Sequence, residues 1–238
     1  MLLLNKKNVF WPIFTCLAAM ALFCVLWCVR SEPVTYKDMA CAFEERESTC
    51  FDSLEKWNEG LTFFDSSLNV DGDTLKALKD LLWNFWKIEF SGSKDAATKE
   101  STLPLQVLKS ERAGCVGLAW LAMMVAEEKN VNLHARLLPG HVFLHYGNVN
   151  LEPNRKGYSY TDEEYREKYK GGPWTGLEFK NLDVRELAGL ASFNLANLYL
   201  EREPHRALRW YRLAEELFPQ YPGITVNQNI AKNKLGQK

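Results

Sequence analysis

The sequence lacks an excess of charge of either sign. Its 29 lysines and arginines nearly balance its 30 aspartates and glutamates, which leaves a formal net charge of -1 at pH 7. Proteins that bind nucleic acids usually carry a basic surplus, and local clusters of lysine and arginine are also sparse here. We therefore expect no nucleic-acid partner.

Charged residues are also missing from a long stretch near the amino terminus. The 21 positions from Val9 to Val29 contain no charged side chain, and a helix of this length spans roughly 30 Å, the hydrocarbon thickness of a bilayer. The alternative is a cleaved signal peptide, whose apolar core is about 7–15 residues long and ends at small residues. Because this stretch is longer and ends in Cys28-Val29-Arg30, we predict an uncleaved transmembrane anchor over residues 1–30.

The basic residues beside this stretch indicate its orientation. Lys6 and Lys7 lie before it, whereas Arg30 alone follows it directly. The positive-inside rule places the more basic side in the cytoplasm. We therefore expect a single-pass membrane protein whose body is exported.

Paired cysteine spacing of the kind that binds metal is absent around Cys115, so we expect neither a metal site built from Cys115, His141 and His145 nor a cofactor. Of the 6 cysteines, three lie in the predicted anchor, where they act as small apolar residues. Cys41 and Cys50 could form a disulfide in an oxidising compartment or remain independent thiols, and the sequence favours neither. Cys115 is left without a partner, and a lone thiol in an exported domain needs an explanation.

Residues 31–74 form a predicted juxtamembrane segment. A polar stretch runs into an amphipathic helix around Trp57 and Leu61. Residues 66–73 are rich in serine, aspartate and asparagine, which predicts a loop. Asp73 is well placed to cap the helix that follows.

A domain with both helices and strands is predicted over residues 75–180. Leucines and aromatic residues at three- and four-residue spacing predict a helix over residues 75–86, and a second helix begins at Cys115. Period-two alternation with intervening turn residues then predicts three strands within residues 133–151. A helix followed by sequential strands indicates an α+β domain in which the helix packs on an antiparallel sheet. Residues 157–180 are predicted to be a connector.

Cys115 is the candidate nucleophile. A catalytic cysteine acts as its thiolate, and both a helix amino terminus and a neighbouring imidazolium lower the thiol pKa. Cys115 follows Ala113-Gly114 and opens the predicted helix, which is the position that this chemistry prefers. The structural alternative is a small buried core residue.

His141 is the candidate general base and acid. It follows a Pro-Gly turn at the start of a strand, from where it could face a helix amino terminus across a cleft. His145 lies on the same face of the strand and is its competitor. Glu152 follows the next strand, and a hairpin would bring its carboxylate beside His141 to orient the imidazole. Asn154 is an alternative to Glu152, because an amide oxygen can also accept from the ring N–H.

These residues resemble the transglutaminase-like superfamily. The resemblance rests on Arg112-Ala113-Gly114-Cys115-Val116-Gly117-Leu118, on Leu138-Pro139-Gly140-His141-Val142-Phe143, on Asn150-Leu151-Glu152-Pro153-Asn154, and on the upstream run from Ser101 to Leu108, which looks like the bacterial branch. It covers roughly residues 75–170. In that superfamily a Cys at a helix start, a His on one strand and an Asp on the next form a papain-like triad. Glu152 departs from this pattern, because it stands where Asp is commoner.

The resemblance implies a thiol-dependent peptidase, amidase or acyltransferase that acts on peptide or amide bonds through Cys115, His141 and Glu152. The backbone N–H of Cys115 would stabilise the oxyanion, and Gln106 is a candidate second donor. The alternative is a catalytically inactive member of the fold that serves as a binding or assembly module. With the bacterial branch, the expected location is the bacterial inner membrane, with the body on the periplasmic side.

Residues 181–238 are predicted to form a helical tail. The pattern of Ala196, Ala207 and Tyr211 resembles a tetratricopeptide repeat (TPR), in which small and large residues alternate so that two antiparallel helices pack closely. A further helix over residues 224–235 would cap the pair. Fewer than three repeats rarely stand alone, so we expect the tail either to brace the catalytic domain or to provide a docking surface for a protein partner.

Overall fold

A computed structural model describes residues 34–44 and 49–236 of the chain. The predicted transmembrane anchor over residues 1–30 lies outside these described residues. Within them, no helix is both long enough and apolar enough to cross a membrane.

Helices dominate the described chain. They are α1 (Tyr36–Phe43), α2 (Glu55–Asp71), α3 (Thr74–Lys79), α4 (Lys99–Thr102), α5 (Pro104–Ser110), α6 (Cys115–Glu128), α7 (Asp162–Lys168), α8 (Val184–Tyr199), α9 (Pro204–Leu217) and α10 (Pro222–Lys234). A π-helical segment, Asp80–Phe85, continues α3, and Asp73 caps α3 as expected, since its carboxylate accepts from the N–H of Lys76 at 3.0 Å.

Two small sheets lie among these helices. Their strands are β1 (Glu89–Phe90), β2 (Arg112–Ala113), β3 (Leu133–Leu138), β4 (His141–Tyr146), β5 (Val149–Leu151) and β6 (Asn181–Leu182). β1 and β2 form a parallel pair, and the other four form an antiparallel sheet in the order β5-β4-β3-β6. The predicted mixture of helix and antiparallel sheet is confirmed.

Helix α6 is the centre of the core. Every residue from Val116 to Ala126 is buried, as expected of a helix that is apolar all round. The helix begins after Gly114, whose carbonyl accepts the N–H of Leu118. It is followed by Asn130, whose φ of 53° belongs to the left-handed region that stops helices.

Two glycines allow the start of α6 to approach the preceding loop closely. A Cβ on Gly114 would collide with the carbonyl oxygen of Ala96, and one on Gly117 would collide with that of Ser101. The N–H of Gly114 also donates to the Ser101 carbonyl at 2.8 Å. The backbone on both sides of Cys115 is therefore held against residues 96–101.

The predicted juxtamembrane segment differs from expectation in one place. Residues 66–71 are helical rather than a loop, because α2 continues to Asp71 and ends at Gly72 with φ 67°. Leu68 packs on the core, so this last part of the helix has an apolar contact that its polar composition did not indicate.

A disulfide joins Cys41 and Cys50, which resolves the alternative that the sequence left open. Cys41 is part of α1. This helix is docked on α6: the indole N–H of Trp120 donates to the Tyr36 carbonyl at 3.0 Å, and the N–H of Tyr36 donates to Glu127 at 2.9 Å.

The predicted connector over residues 157–180 contains a helix, α7, and so departs from expectation. Its amino end is a capping box, in which Thr161 accepts from the N–H of Glu164 and the Glu164 carboxylate accepts from the N–H of Thr161. Tyr165 points from α7 into the core and is fully buried. This helix contacts the end of β5 through two side chains: Asp162 accepts from the Asn150 amide at 2.8 Å, and the Tyr165 hydroxyl donates to Glu152 at 3.2 Å.

The predicted tail forms helices α8, α9 and α10. Small residues allow α8 and α9 to pack closely, since Ala196, Ala207 and Ala214 are fully buried and a Cβ on Gly189 would press on Phe218. Phe218 is itself fully buried and belongs to the same core cluster as α6. The tail is therefore anchored to the main core through Phe218 and the first turns of α8, whereas Ala196, Ala207 and Ala214 belong to a second cluster within the tail.

Candidate active site

Cys115 lies at the first position of α6 and is half-buried. Among the described residues it is the only cysteine outside a disulfide. The first N–H groups of a helix have no intrahelical acceptor and concentrate positive potential there. The local fold therefore favours the thiolate form of Cys115.

His141 is brought to this helix by a tight turn. β3 and β4 pair so that Leu138 lies opposite His141 across Pro139-Gly140, and Gly140 has a φ of 65°, which a residue with a side chain rarely adopts. The His141 ring is only 6% exposed and stacks on Tyr169, with ring centroids 5.6 Å apart and planes at 7°. The ring also lies beside the Cys115 side chain, lines the same cleft and interacts with it electrostatically.

Glu152 lies just beyond β5 and is 1% exposed. Its Oε2 lies 3.0 Å from Nε2 of His141, which leaves Nδ1 as the ring nitrogen that can exchange a proton with Cys115. The Tyr165 hydroxyl donates to the same oxygen at 3.2 Å, and the N–H of Asn154 donates to Oε1 at 3.0 Å. The structure thus brings Cys115, His141 and Glu152 together in one chain of contacts.

The electrostatics of this chain favour a thiolate–imidazolium pair. Burial raises the pKa of Cys115, but the charge and hydrogen bond of His141 and the N–H of Val142 outweigh it, so the thiol pKa lies below its ordinary value. Burial lowers the pKa of His141, but Cys115 and Glu152 outweigh it and raise that pKa to about 10. His141 is therefore protonated at neutral pH, and its charge favours the thiolate form of Cys115, so that the two titrations are coupled.

The Glu152 carboxylate keeps its charge despite its burial. Burial raises its pKa, but the hydrogen bond and charge of His141 and the N–H of Asn154 outweigh it, so the pKa lies below the ordinary value. Burial and the charge of Glu152 raise the pKa of Tyr165, so this phenol remains a proton donor to the carboxylate.

The competitors identified in the sequence take other positions. Nδ1 of His145 lies 2.7 Å from Oδ1 of Asn150, whose amide donates to Asp162. The side-chain oxygen of Asn154 has no hydrogen-bond partner within the described residues, and it is the backbone of Asn154 that supports Glu152. The contact to His141 is therefore made by Glu152.

The structure gives Gln106 a different role from that of oxyanion donor. Its amide nitrogen donates to Oε2 of Glu44 at 3.0 Å. Gln106 is also not among the residues that line the cleft around Cys115. The N–H of Cys115 at the start of α6 remains available to an oxyanion.

A cleft of about 220 Å³ opens beside Cys115 and His141. One wall comes from β3 and β4, and the opposite wall comes from α8 and from the residue before α10. That opposite wall is made by Leu190, Phe193, Asn194, Asn197 and Tyr221.

Sequence reasoning missed this opposite wall, as well as Tyr165 and Tyr169 on the other side of His141. The Thr161-x-x-Glu164 capping box was the available signal for α7 and its tyrosines. For α8, the four cleft residues fall at three- and four-residue spacing. The sequence feature that could have indicated this wall is the pair Asn194 and Asn197 on a face of α8 that is otherwise apolar.

A family model described as the transglutaminase-like superfamily matches residues 49–189. The match includes Cys115, His141 and Glu152, and it ends one residue before the α8 wall of the cleft begins at Leu190. No curated protein and no solved structure matches the chain.

Proposed function

The chain belongs to the transglutaminase-like superfamily, and we propose that it is a thiol-dependent enzyme that cleaves or transfers the acyl group of peptide or amide bonds. The observation that carries this proposal is the contact chain from Cys115 through His141 to Glu152, with a distance of 3.0 Å between His141 and Glu152. A lowered thiol pKa and a raised imidazole pKa support it, because a catalytic cysteine needs its thiolate beside a proton donor.

In the proposed reaction, the Cys115 thiolate attacks the carbonyl carbon of the substrate amide. The carbonyl electrons move to oxygen, where the N–H of Cys115 stabilises the oxyanion. The imidazolium of His141 gives its proton to the leaving amine as the C–N bond breaks, which leaves a thioester on Cys115. Water or a second amine then attacks the thioester carbon, and His141 takes the proton from that nucleophile. The C–S bond breaks, and Cys115 leaves as the thiolate beside the imidazolium. Water gives hydrolysis, and an amine gives acyl transfer.

Glu152 holds the imidazole in this scheme and stabilises its protonated form. Glutamate has one more methylene than the aspartate that is commoner in the family. The sequence alone therefore left open whether the Glu152 carboxylate lies at hydrogen-bonding distance from His141. The 3.0 Å contact supports a triad role for glutamate here, since the backbone of Asn154 and the hydroxyl of Tyr165 hold both carboxylate oxygens.

The proposal is tested by alkylation of Cys115 with iodoacetamide between pH 5 and pH 10. The label is read on the tryptic peptide of residues 113–129, so that the other cysteines do not interfere. We expect the native thiol to react well below pH 8.5, and His141→Ala to move its profile towards that of an ordinary thiol. If Cys115 titrates like an ordinary thiol near pH 8.5 and His141→Ala changes nothing, the catalytic proposal fails.

The second candidate is a catalytically inactive binding or assembly module that docks a protein partner on the TPR-like tail. The exposed side chains of Arg202, Arg209 and Arg212 favour it, because none of them has an ion-pair partner within residues 34–44 and 49–236. Such a basic surface suits an acidic partner segment. A thiol that reacts ordinarily, together with salt-sensitive capture of an acidic peptide that Arg209→Glu abolishes, would favour this candidate.

We also propose a single-pass membrane protein of the bacterial inner membrane, with the body in the periplasm. The Cys41–Cys50 disulfide supports an exported body, because disulfides persist in oxidising compartments. A reporter that is active only outside the cytoplasm, fused after residue 40, should be active. A reporter that works there only in the cytoplasm would overturn the proposed topology.

A further inference from the structure

The α8 wall of the cleft is made by one stripe of the helix. Leu190, Phe193, Asn194 and Asn197 follow the three- and four-residue spacing that puts side chains on one face. All four lie beyond residue 189, where the family match ends. Part of the cleft beside Cys115 is therefore formed by residues outside the range that the family model matches.

Asn197 is held in a fixed orientation by the two helices that follow α8. Its Oδ1 accepts from the Tyr211 hydroxyl at 2.6 Å and from the amide nitrogen of Asn227 at 2.8 Å. Burial raises the pKa of Tyr211 to about 12, so this hydroxyl remains a donor at neutral pH. Because a carbonyl oxygen has two lone pairs, the acceptor capacity of Asn197 is filled.

The amide N–H groups of Asn197 are left to the cleft. Within the described residues nothing accepts a hydrogen bond from its amide nitrogen. Asn194, one turn earlier and also half-buried, has no side-chain hydrogen bond in the same part of the chain. Two carboxamides thus line the cleft with unused hydrogen-bonding groups, on the wall opposite His141.

The rest of the cleft is neutral or apolar away from the two reacting groups. Its other lining residues include Leu137, Val142, Leu190, Phe193 and Tyr221, and no lysine, arginine, aspartate or glutamate lines it in the described chain. A carboxamide offers both N–H donors and a C=O acceptor, which matches the C=O and N–H of a peptide group. The volume of about 220 Å³ is below the range of roughly 300–1,000 Å³ typical of larger ligands. It suits one residue of a bound chain.

We propose that Asn197 and Asn194 bind the backbone of a peptide substrate beside the bond that Cys115 attacks. Asn197 donates to a substrate carbonyl, and Asn194 exchanges hydrogen bonds with the adjoining peptide group. Phe193 and Tyr221 contact the apolar side chain of the same substrate residue. This assignment rests on the proposed thiol chemistry and makes the helical tail part of the substrate site.

The test compares two reagents with the same reacting carbon. N-acetyl-leucyl chloromethyl ketone carries a peptide group and an apolar side chain, whereas chloroacetone carries neither. Alkylation of Cys115 by each reagent is followed on the tryptic peptide of residues 113–129. The ratio of the two rates reports binding of the peptide group together with the apolar side chain, because both rates depend equally on the thiolate. A change in this ratio in an asparagine variant then reports the contribution of that asparagine.

The variants are Asn197→Asp and Asn194→Leu, with Asn229→Leu on the exposed face of α10 as control. Asn197→Asp keeps oxygen acceptors for Tyr211 and Asn227 but replaces the N–H donors with an acceptor, so the helices stay paired. We expect each cleft variant to lower the rate ratio about five- to tenfold, the effect of one lost hydrogen bond. The control should leave the ratio unchanged.

The outcomes separate this inference from the proposed function. If Cys115 stays reactive well below pH 8.5 but both cleft variants keep the native rate ratio, the asparagines do not bind substrate and the inference fails alone. A native ratio that shows no preference for the peptidyl reagent has the same consequence. If Cys115 reacts as an ordinary thiol with both reagents, the proposed function fails and the inference fails with it.

Discussion

The Glu152 side chain accepts hydrogen bonds from three directions at once. His141, Tyr165 and the backbone of Asn154 occupy its two oxygens, and the side chain is almost completely buried. A buried carboxylate in such a network is held in one orientation. At the scale of the residue, the candidate site is therefore preorganised around Glu152.

Replacement of Glu152 by Gln should lower the pKa of His141. Glutamine is nearly the same size but carries no charge, so the imidazolium loses the carboxylate that helps to raise its pKa to about 10. An opposite charge at this distance shifts a pKa by roughly 1–3 pH units. The titration can be followed by NMR of the histidine ring carbons, with the His141 signal assigned from its loss in His141→Gln. An unchanged His141 titration would mean that Glu152 does not stabilise the imidazolium.

The same substitution should change how stability depends on pH. The pKa of Glu152 is lower in the folded state than its ordinary value, so its ionised form stabilises the fold above about pH 4.3. This contribution is lost as pH falls through the lowered pKa. We expect Glu152→Gln to lower the free energy of unfolding by about 1–3 kcal/mol at pH 7.

Urea unfolding of the native protein and of Glu152→Gln at pH 7 and pH 3 measures this effect. The difference between the two proteins should shrink at pH 3. Glu59→Gln, which alters an exposed carboxylate, serves as the control and should have little effect at either pH. A difference between native protein and Glu152→Gln that is equal at both pH values would contradict a stabilising charge on Glu152.

At the scale of the element, the start of α6 depends on close backbone contact. Gly117 should not tolerate alanine, because the new Cβ would collide with the carbonyl oxygen of Ser101, which is backbone and cannot rotate away. We expect Gly117→Ala to destabilise the protein by roughly 1–3 kcal/mol, as overpacked cores do. It should also weaken the reactivity of Cys115 at neutral pH, because the first turn of α6 must shift.

Gly171→Ala is the matched control for Gly117→Ala, since a Cβ at Gly171 meets nothing within 4 Å. Thermal unfolding and alkylation of Cys115 are measured for both variants. The close-contact explanation would be wrong if the two variants behaved alike.

Local patterns explain which elements could be predicted. The bounds of α6 and the strands β3 to β5 follow from a continuous apolar helix and from alternating strands with Gly turns, and each of these signals lies within a few residues of chain. The short strands β1 and β2 could not be predicted from local patterns. Their pairing joins Glu89 to Arg112 and so depends on contacts distant in sequence. Helix α7 was missed because seven residues rich in charge carry almost no apolar period, although Tyr165 provides its one buried anchor.

The same distinction between local signals and contacts distant in sequence applies to the candidate site. Cys115, His141 and Glu152 stand next to local signals, namely a helix start, a Gly turn and a strand end. The orientation of Asn197 depends on Tyr211 and Asn227, which come from two other helices and are 14 and 30 residues away. No pattern around Asn197 itself contains that information.

At the scale of the whole molecule, the tail has a cluster of its own but also contributes residues to the core of the domain with the candidate site. Damage at those shared residues should therefore destabilise both parts. Phe218, between α9 and α10, is fully buried in the cluster that contains α6, and we expect Phe218→Ala to cost about 3–5 kcal/mol. Because Phe218 belongs to the cluster that contains α6, hydrogen exchange should accelerate in α6 as well as in α8 and α9. Val226→Ala removes an exposed tail side chain of the same apolar character and should change stability by less than about 0.5 kcal/mol. Faster exchange confined to α8, α9 and α10 would instead mean that these helices unfold as an independent unit. The α8 wall of the cleft could then open without unfolding of the domain that carries Cys115.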